Sequence, residues 1–189
     1  MNRLREKTAF LLCMSIFLFV FGLFSGCAKQ PPSVTQIEKQ FSKFESDFII
    51  ISNYLASISA ETVSIETDSE EIYIDLAYET IDNSSILDSL HRLCKAGCSS
   101  IYLNRSNNSI CFVLWKTGIV GDADAGILYA LDTGESNLPT TQYLTKLQPL
   151  QPPFWYYYIA DYEEWRNQHK GGQHSLQIKS PYHASVVPR

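Results

Sequence analysis

Ile101-Tyr-Leu-Asn-Arg-Ser-Asn-Asn-Ser-Ile-Cys-Phe-Val-Leu114 is the stretch whose reading decides the fold. Two runs of aromatic, β-branched and aliphatic residues flank a short polar cluster. Asn tolerates positive φ, so a two-residue turn at Asn107-Asn108 predicts a β-hairpin closed by Ser106 and Ser109. That register sets Leu103 opposite Phe112 and Ile101 opposite Leu114 on one face. Tyr102, Val113 and Trp115 fall on the other. A second apolar face predicts a sheet partly covered on both sides, or one that keeps an adhesive patch.

Upstream of this hairpin the period changes. Phe41, Phe44, Phe48, Ile51, Leu55 and Ile58 recur at spacings of three and four, which predicts an amphipathic helix over Val34–Ile58, capped by Ser33 or Thr35. Val63 and Ile65, then Ile72, Ile74 and Leu76, alternate with polar residues and predict a second hairpin turning at Thr67-Asp68-Ser69. Asp82 or Asn83 opens a second helix that buries Ile86, Leu87, Leu90, Leu93 and Cys94 and ends at Gly97.

Downstream, Lys116–Gly126 reads as a Gly-punctuated loop and Ile127–Leu131 as a strand. Residues 134–153 are rich in turn formers, with Pro139, Pro149, Pro152 and Pro153. The run Phe154-Trp-Tyr-Tyr-Tyr-Ile159 has high β-propensity, and Asp161–His169 allows one or two helical turns. Gly171–Arg189 is polar and aperiodic, as disordered tails are. The sum is an α+β domain over residues 34–168: an antiparallel sheet of about five strands with two main helices on one face, and a disordered tail at 169–189.

The chain begins differently. Arg3, Arg5 and Lys7 precede an uninterrupted apolar run, Ala9–Phe24, shorter than the roughly 20 residues a spanning helix needs; that order is the pattern of an export signal. The run ends at Ser25-Gly26-Cys27 and turns polar at once. Here the sequence resembles the bacterial lipoprotein signal, whose small residues precede a Cys that receives a lipid. The resemblance covers the first thirty residues. It implies a signal peptide at 1–26, lipidation of Cys27, a tether at 27–33 stiffened by Pro31-Pro32, and a cell-membrane location on the extracytoplasmic face. Phe24 departs from the aliphatic residue usual three places before that Cys. A plain signal or an uncleaved anchor helix are the other readings. The segment order over about residues 40–160 is also loosely similar to small exported proteins of Gram-positive bacteria, a likeness that implies no activity.

Charge narrows the partners. The leader holds three of the 15 Lys+Arg and one of the 20 Asp+Glu, so the remainder carries 12 against 19, a net of −7. An acidic domain with no basic stripe argues against nucleic acid and against docking on anionic lipid headgroups. No cofactor motif is present: Gly118-Ile-Val-Gly121 lacks the Lys-Ser/Thr pair of a phosphate loop. Asp122-Ala-Asp124-Ala-Gly126 opens like a calcium loop but has Thr133 where the closing Glu belongs. His91, Cys94, Cys98 and Cys111 are zinc-type ligands at faulty spacing, and read better as buried thiols with room for one disulfide.

Three of the four His lie at or beyond the end of the last helix, and no nucleophile elbow occurs. The aromatic segment is the remaining hint. Trp155, Tyr157 and Trp165 offer amphipathic contact area of the kind enriched at interfaces. Strand alternation puts Trp155 and Tyr157 on one face and Tyr156 and Tyr158 on the other, and the plainer reading makes one set core and leaves the other half-covered by the last helix. The reading is therefore a tethered, non-enzymatic binding domain with a protein or envelope partner. An envelope hydrolase with an unrecognised carboxylate or Cys94/His91 site, or a purely structural protein, are its rivals.

Overall fold

The computed structural model describes residues 30–117, 123–134 and 138–169. Helix α1, Val34–Ser57, opens on a capping box: the Ser33 hydroxyl accepts from the Gln36 N–H while the Gln36 side chain accepts from the Ser33 N–H. Ile37, Phe41, Phe48, Ile51 and Leu55 are buried along one stripe. At about 2 kcal/mol per buried side chain, the stripe contributes roughly 10 kcal/mol of gross burial. Phe44, predicted on that stripe, leaves helical geometry (φ −120°, ψ 20°) and is only partly buried. Helix α2, Ser84–Lys95, is capped by the Asn83 side chain on the Ser85 and Ile86 N–H groups. It ends at Gly97, whose φ of +92° only glycine adopts freely. Arg92 of α2 binds the buried Asp47 of α1 (Nε–Oδ1 2.9 Å) and the Ser89 hydroxyl, linking the two helices.

Both helices cover one face of an eight-stranded antiparallel sheet in the order β3-β2-β1-β4-β5-β6-β8-β7. The strands are β1 Thr62–Glu66, β2 Glu71–Ile74, β3 Ala77–Thr80, β4 Ser100–Asn104, β5 Ser109–Thr117, β6 Ala123–Ala130, β7 Leu144–Gln151 and β8 Trp155–Asp161. A third helix, α3 (Tyr162–His169), follows β8. The α+β class and the helix-covered face hold. Among the described residues the strand count corrects the expected five to eight.

β3 escapes the sequence because the turn before it, Asp75-Leu76, contains no Gly, Asn or Pro, and Leu76 reads as the next apolar step of β2. Asp75 takes φ 49° and Leu76 is 90 % exposed rather than buried. β7 escapes because Pro149 lies inside it and register shifts at Leu144/Lys146 and Pro149/Gln151 erase its alternation. An edge strand tolerates both. The Gly-punctuated loop contracts as well: β5 runs to Thr117 and β6 starts at Ala123.

The deciding hairpin forms between β4 and β5 with a register two residues away from the predicted one. Ile101 faces Phe112 and Leu103 faces Ile110, around a four-residue turn, 105–108, with Asn108 at φ 52°. A two-residue slip preserves the faces, so the core assignment survives. A bulge between Val113 and Trp115 then moves Trp115 from the face shared with Tyr102 onto the helix side, where it packs on the main core. The apolar leader and the polar tail lie outside the described residues. Among those described, no helix is long and apolar enough to cross a membrane.

Candidate functional site

Trp155 and Tyr157, expected as contact residues, point inward. Trp155 is 5 % and Tyr157 1 % exposed. Trp155 packs against Phe41 and Phe48 of α1, Phe112 of β5 and Tyr129 of β6. Tyr157 donates its hydroxyl to the Pro32 carbonyl at 2.9 Å. Both are core residues that the helices cover, which removes them from any contact surface. Trp165 stays half-buried on α3, against Tyr143 and stacked on His169. The structure does not bring it together with the other two.

The alternate residues of β8 build a second, smaller core on the sheet's opposite face. Tyr156, Tyr158 and Ala160 pack with Cys111, Val113, Leu128, Ala130 and Leu144. Within it the Cys111 thiol donates to the Tyr158 hydroxyl at 2.9 Å, and Tyr158 in turn donates to Asp124. Burial pushes the Cys111 thiol far up, against the opposing effect of that hydrogen bond, and pushes the Tyr158 phenol up too. Burial also raises the Asp124 carboxyl from its ordinary value, partly countered by Tyr158, and its Oδ1 is buried without a partner among the described residues.

A protonated thiol is a poor nucleophile, and this chain of three groups ties β5, β8 and β6 together on this face of the sheet. The Cys98 thiol, buried in the main core, is raised in the same way. His91 is exposed, Cys94 is half-buried, and Cys94, Cys98 and Cys111 are all free thiols. Among the described residues no group of three His, Cys, Asp or Glu could hold a metal ion. Asp124 and Gly126 of the calcium-like pattern belong to the strand β6.

The second core covers only the β5–β8 half of this face. On the β3–β4 half the cross-strand register lines up one row: Tyr78 faces Tyr73, Tyr73 faces Ser64, and Ser64 faces Tyr102. Tyr78 is 71 % and Tyr102 41 % exposed, and the Tyr73 and Tyr78 rings meet at 4.8 Å. This row is the site that sequence reasoning missed. Its residues come from four strands, and only Tyr102 had been placed on a second face. The alternation of Tyr73 with Ile72 and Ile74 carried the rest of the signal.

The chemistry around the row is acidic. From residue 61 to 88 the chain carries nine Asp and Glu and no Lys, Arg or His. Glu61 and Asp75 are engaged locally, with Ser106 and Thr62 respectively. Comparison of the chain with protein-family models, with curated proteins and with solved structures finds no match.

Proposed function

We propose that this chain is a lipid-anchored, extracytoplasmic domain that works by binding rather than by catalysis, and that it makes its contacts on the open half of its sheet. One observation carries the binding part. Among the described residues, Tyr78 and Tyr102 stand exposed in one cross-strand row with the part-buried Tyr73 between them. Aligned aromatic surface left uncovered is the usual mark of a contact site. Tyr73, Tyr78 and Tyr102 thus take the role that Trp155 and Tyr157, being buried, cannot fill.

The address rests on Ser25-Gly26-Cys27 between an apolar run and a polar tether. It is tested by expressing the full chain in a bacterial host with radioactive palmitate, beside Cys27→Ala. Label in the parent chain and none in the variant is the expected result. Equal absence of label in both, with the protein still sedimenting with membranes, refutes the lipid anchor.

A further inference from the structure

The open sheet half ends in a strand edge as well as a face. Among the described residues β3 is the last strand on this side, and all four of its residues are exposed. The direction of its free backbone groups follows from the ladder. The Ile81 N–H donates to the Glu70 carbonyl (2.9 Å) and the Asp75 N–H to the Thr62 carbonyl (3.1 Å). Antiparallel strands alternate which side each residue bonds. Residues 77, 79 and 81 therefore bond inward to β2, and Tyr78 and Thr80 direct their N–H and C=O groups outward.

The two ends of the sheet are not protected alike. β7 carries Pro149, Lys146 and two register irregularities, devices that blunt an edge against strand addition. β3 carries no Pro, Lys or bulge, and its one charge is Glu79. That charge acts selectively. Pairing β3 with a second copy of itself would bring two acidic hairpins together, including Glu70, Glu71, Asp75 and Glu79. Like charges directly opposite in a sheet are destabilising.

We infer that the β3 edge accepts an extended, basic segment of a partner polypeptide as a ninth strand. The inference deepens the binding role proposed above and rests on it. Backbone bonds to Tyr78 and Thr80 supply the pairing, as in other strand-addition complexes. Alternate side chains of the segment reach the two faces. Lys or Arg on one side lies along the Tyr73–Tyr78 ring pair, where an aliphatic stem and a cation both fit an aromatic surface. The carboxylates on 66–82, uncompensated by any Lys, Arg or His in that interval, favour a positive segment and speed its approach.

The test uses the full chain in detergent micelles and a fluorescent eight-residue peptide alternating Lys and Val, followed by anisotropy. Two further peptides carry N-methyl groups on one or the other alternate set of residues, with charge and side chains unchanged. Strand addition predicts that one methylated set loses about tenfold or more in affinity while the other binds like the parent, since only one set faces β3. Equal binding of all three peptides, or no binding of the parent peptide, overturns the inference.

Tyr78→Pro removes an outward N–H together with the ring, without breaking a bond to β2, and is expected to weaken the parent peptide well beyond Tyr78→Ala, which removes the ring alone; circular dichroism confirms the fold of both. Should Tyr78→Pro misfold, the methylated pair decides alone. Loss of binding in Tyr102→Ala together with full binding in Tyr78→Pro leaves the open face as a contact site and rejects the edge. Dimers of the full chain that Tyr78→Pro dissolves would assign the edge to a second copy and overturn the basic-segment reading.

Discussion

Gly126 offers the sharpest test of how the sheet is built. In β5 the residue Leu114 is inserted between Val113, which faces Gly126, and Trp115, which faces Ala125. A Cβ on Gly126 would stand 1.9 Å from the Phe112 carbonyl oxygen and 3.0 Å from the Leu114 nitrogen. A carbon–oxygen contact needs about 3.3 Å, so the Phe112 carbonyl would have to retreat by over 1 Å. That carbonyl is backbone in a central strand paired on both sides, and cannot swing away as a side chain would. Strand propensity alone predicts that Gly126→Ala stabilises by about 0.5–1 kcal/mol. The overlap opposes it with the upper part of the 1–3 kcal/mol range for overpacking.

The net expectation is a loss of about 2 kcal/mol, a sizeable share of the 5–15 kcal/mol typical of a domain. With a urea slope near 2 kcal/mol/M, the midpoint falls by about 1 M. Urea unfolding followed by far-ultraviolet circular dichroism measures it. A midpoint unchanged or raised in Gly126→Ala would refute the account of the bulge as a close backbone approach that only glycine permits.

Two other outcomes follow from polar groups. Asp124 has a folded pKa raised by burial, so its protonated form favours the fold. Its contribution is fully present below the ordinary Asp value of about 3.9 and is lost as pH rises through the folded value. Asp124→Asn keeps an acceptor for Tyr158 and is expected to be more stable than the parent at pH 7.5, with the gap closing towards pH 4; urea midpoints at the two values measure it, and a variant less stable at pH 7.5 contradicts the sign. Arg105 donates to the carbonyls of Ala56, Ile58 and Ala60 at the end of α1, at 3.1, 2.6 and 2.7 Å. Arg105→Ala should cost about 2–3 kcal/mol in thermal or urea unfolding and Arg105→Lys should restore only part, because lysine lacks the planar fork; full rescue by Lys would show that charge alone matters.

The parts of the fold legible in the sequence are those where one physical period runs without interruption. Six apolar residues at spacings of three and four placed α1, and Asn83 with Gly97 bounded α2, because caps act locally. The β4–β5 register was misjudged by two residues, yet Ile101, Leu103, Ile110 and Phe112 still shared the core, since a slip of two restores the side. Trp115 did not share that protection: one inserted residue changes its face, and no residue type announces a bulge there. β3 and β7 were hidden by a turn, Asp75-Leu76, that lacks Gly, Asn and Pro and so reads as part of β2, and by a proline that an edge strand accommodates. The segment Trp155–Tyr158 was sorted correctly into two alternating sets. Which set is covered depends on α1, more than a hundred residues earlier, and on Cys111 and Leu128 of other strands. The tyrosine row is illegible for the same reason, being a property of register between strands rather than of any one segment.

The bond from Tyr157 to the Pro32 carbonyl has a mechanical consequence. Pulling on the chain ahead of residue 31 loads the start of α1 and, through that bond, an interior strand of the sheet. No outer strand is peeled first. The load also reaches α1, whose Ile37, Phe41, Phe48, Ile51 and Leu55 are buried against the core. Whatever loosens the chain at this entry must therefore first break a contact to a strand that has a neighbour on each side.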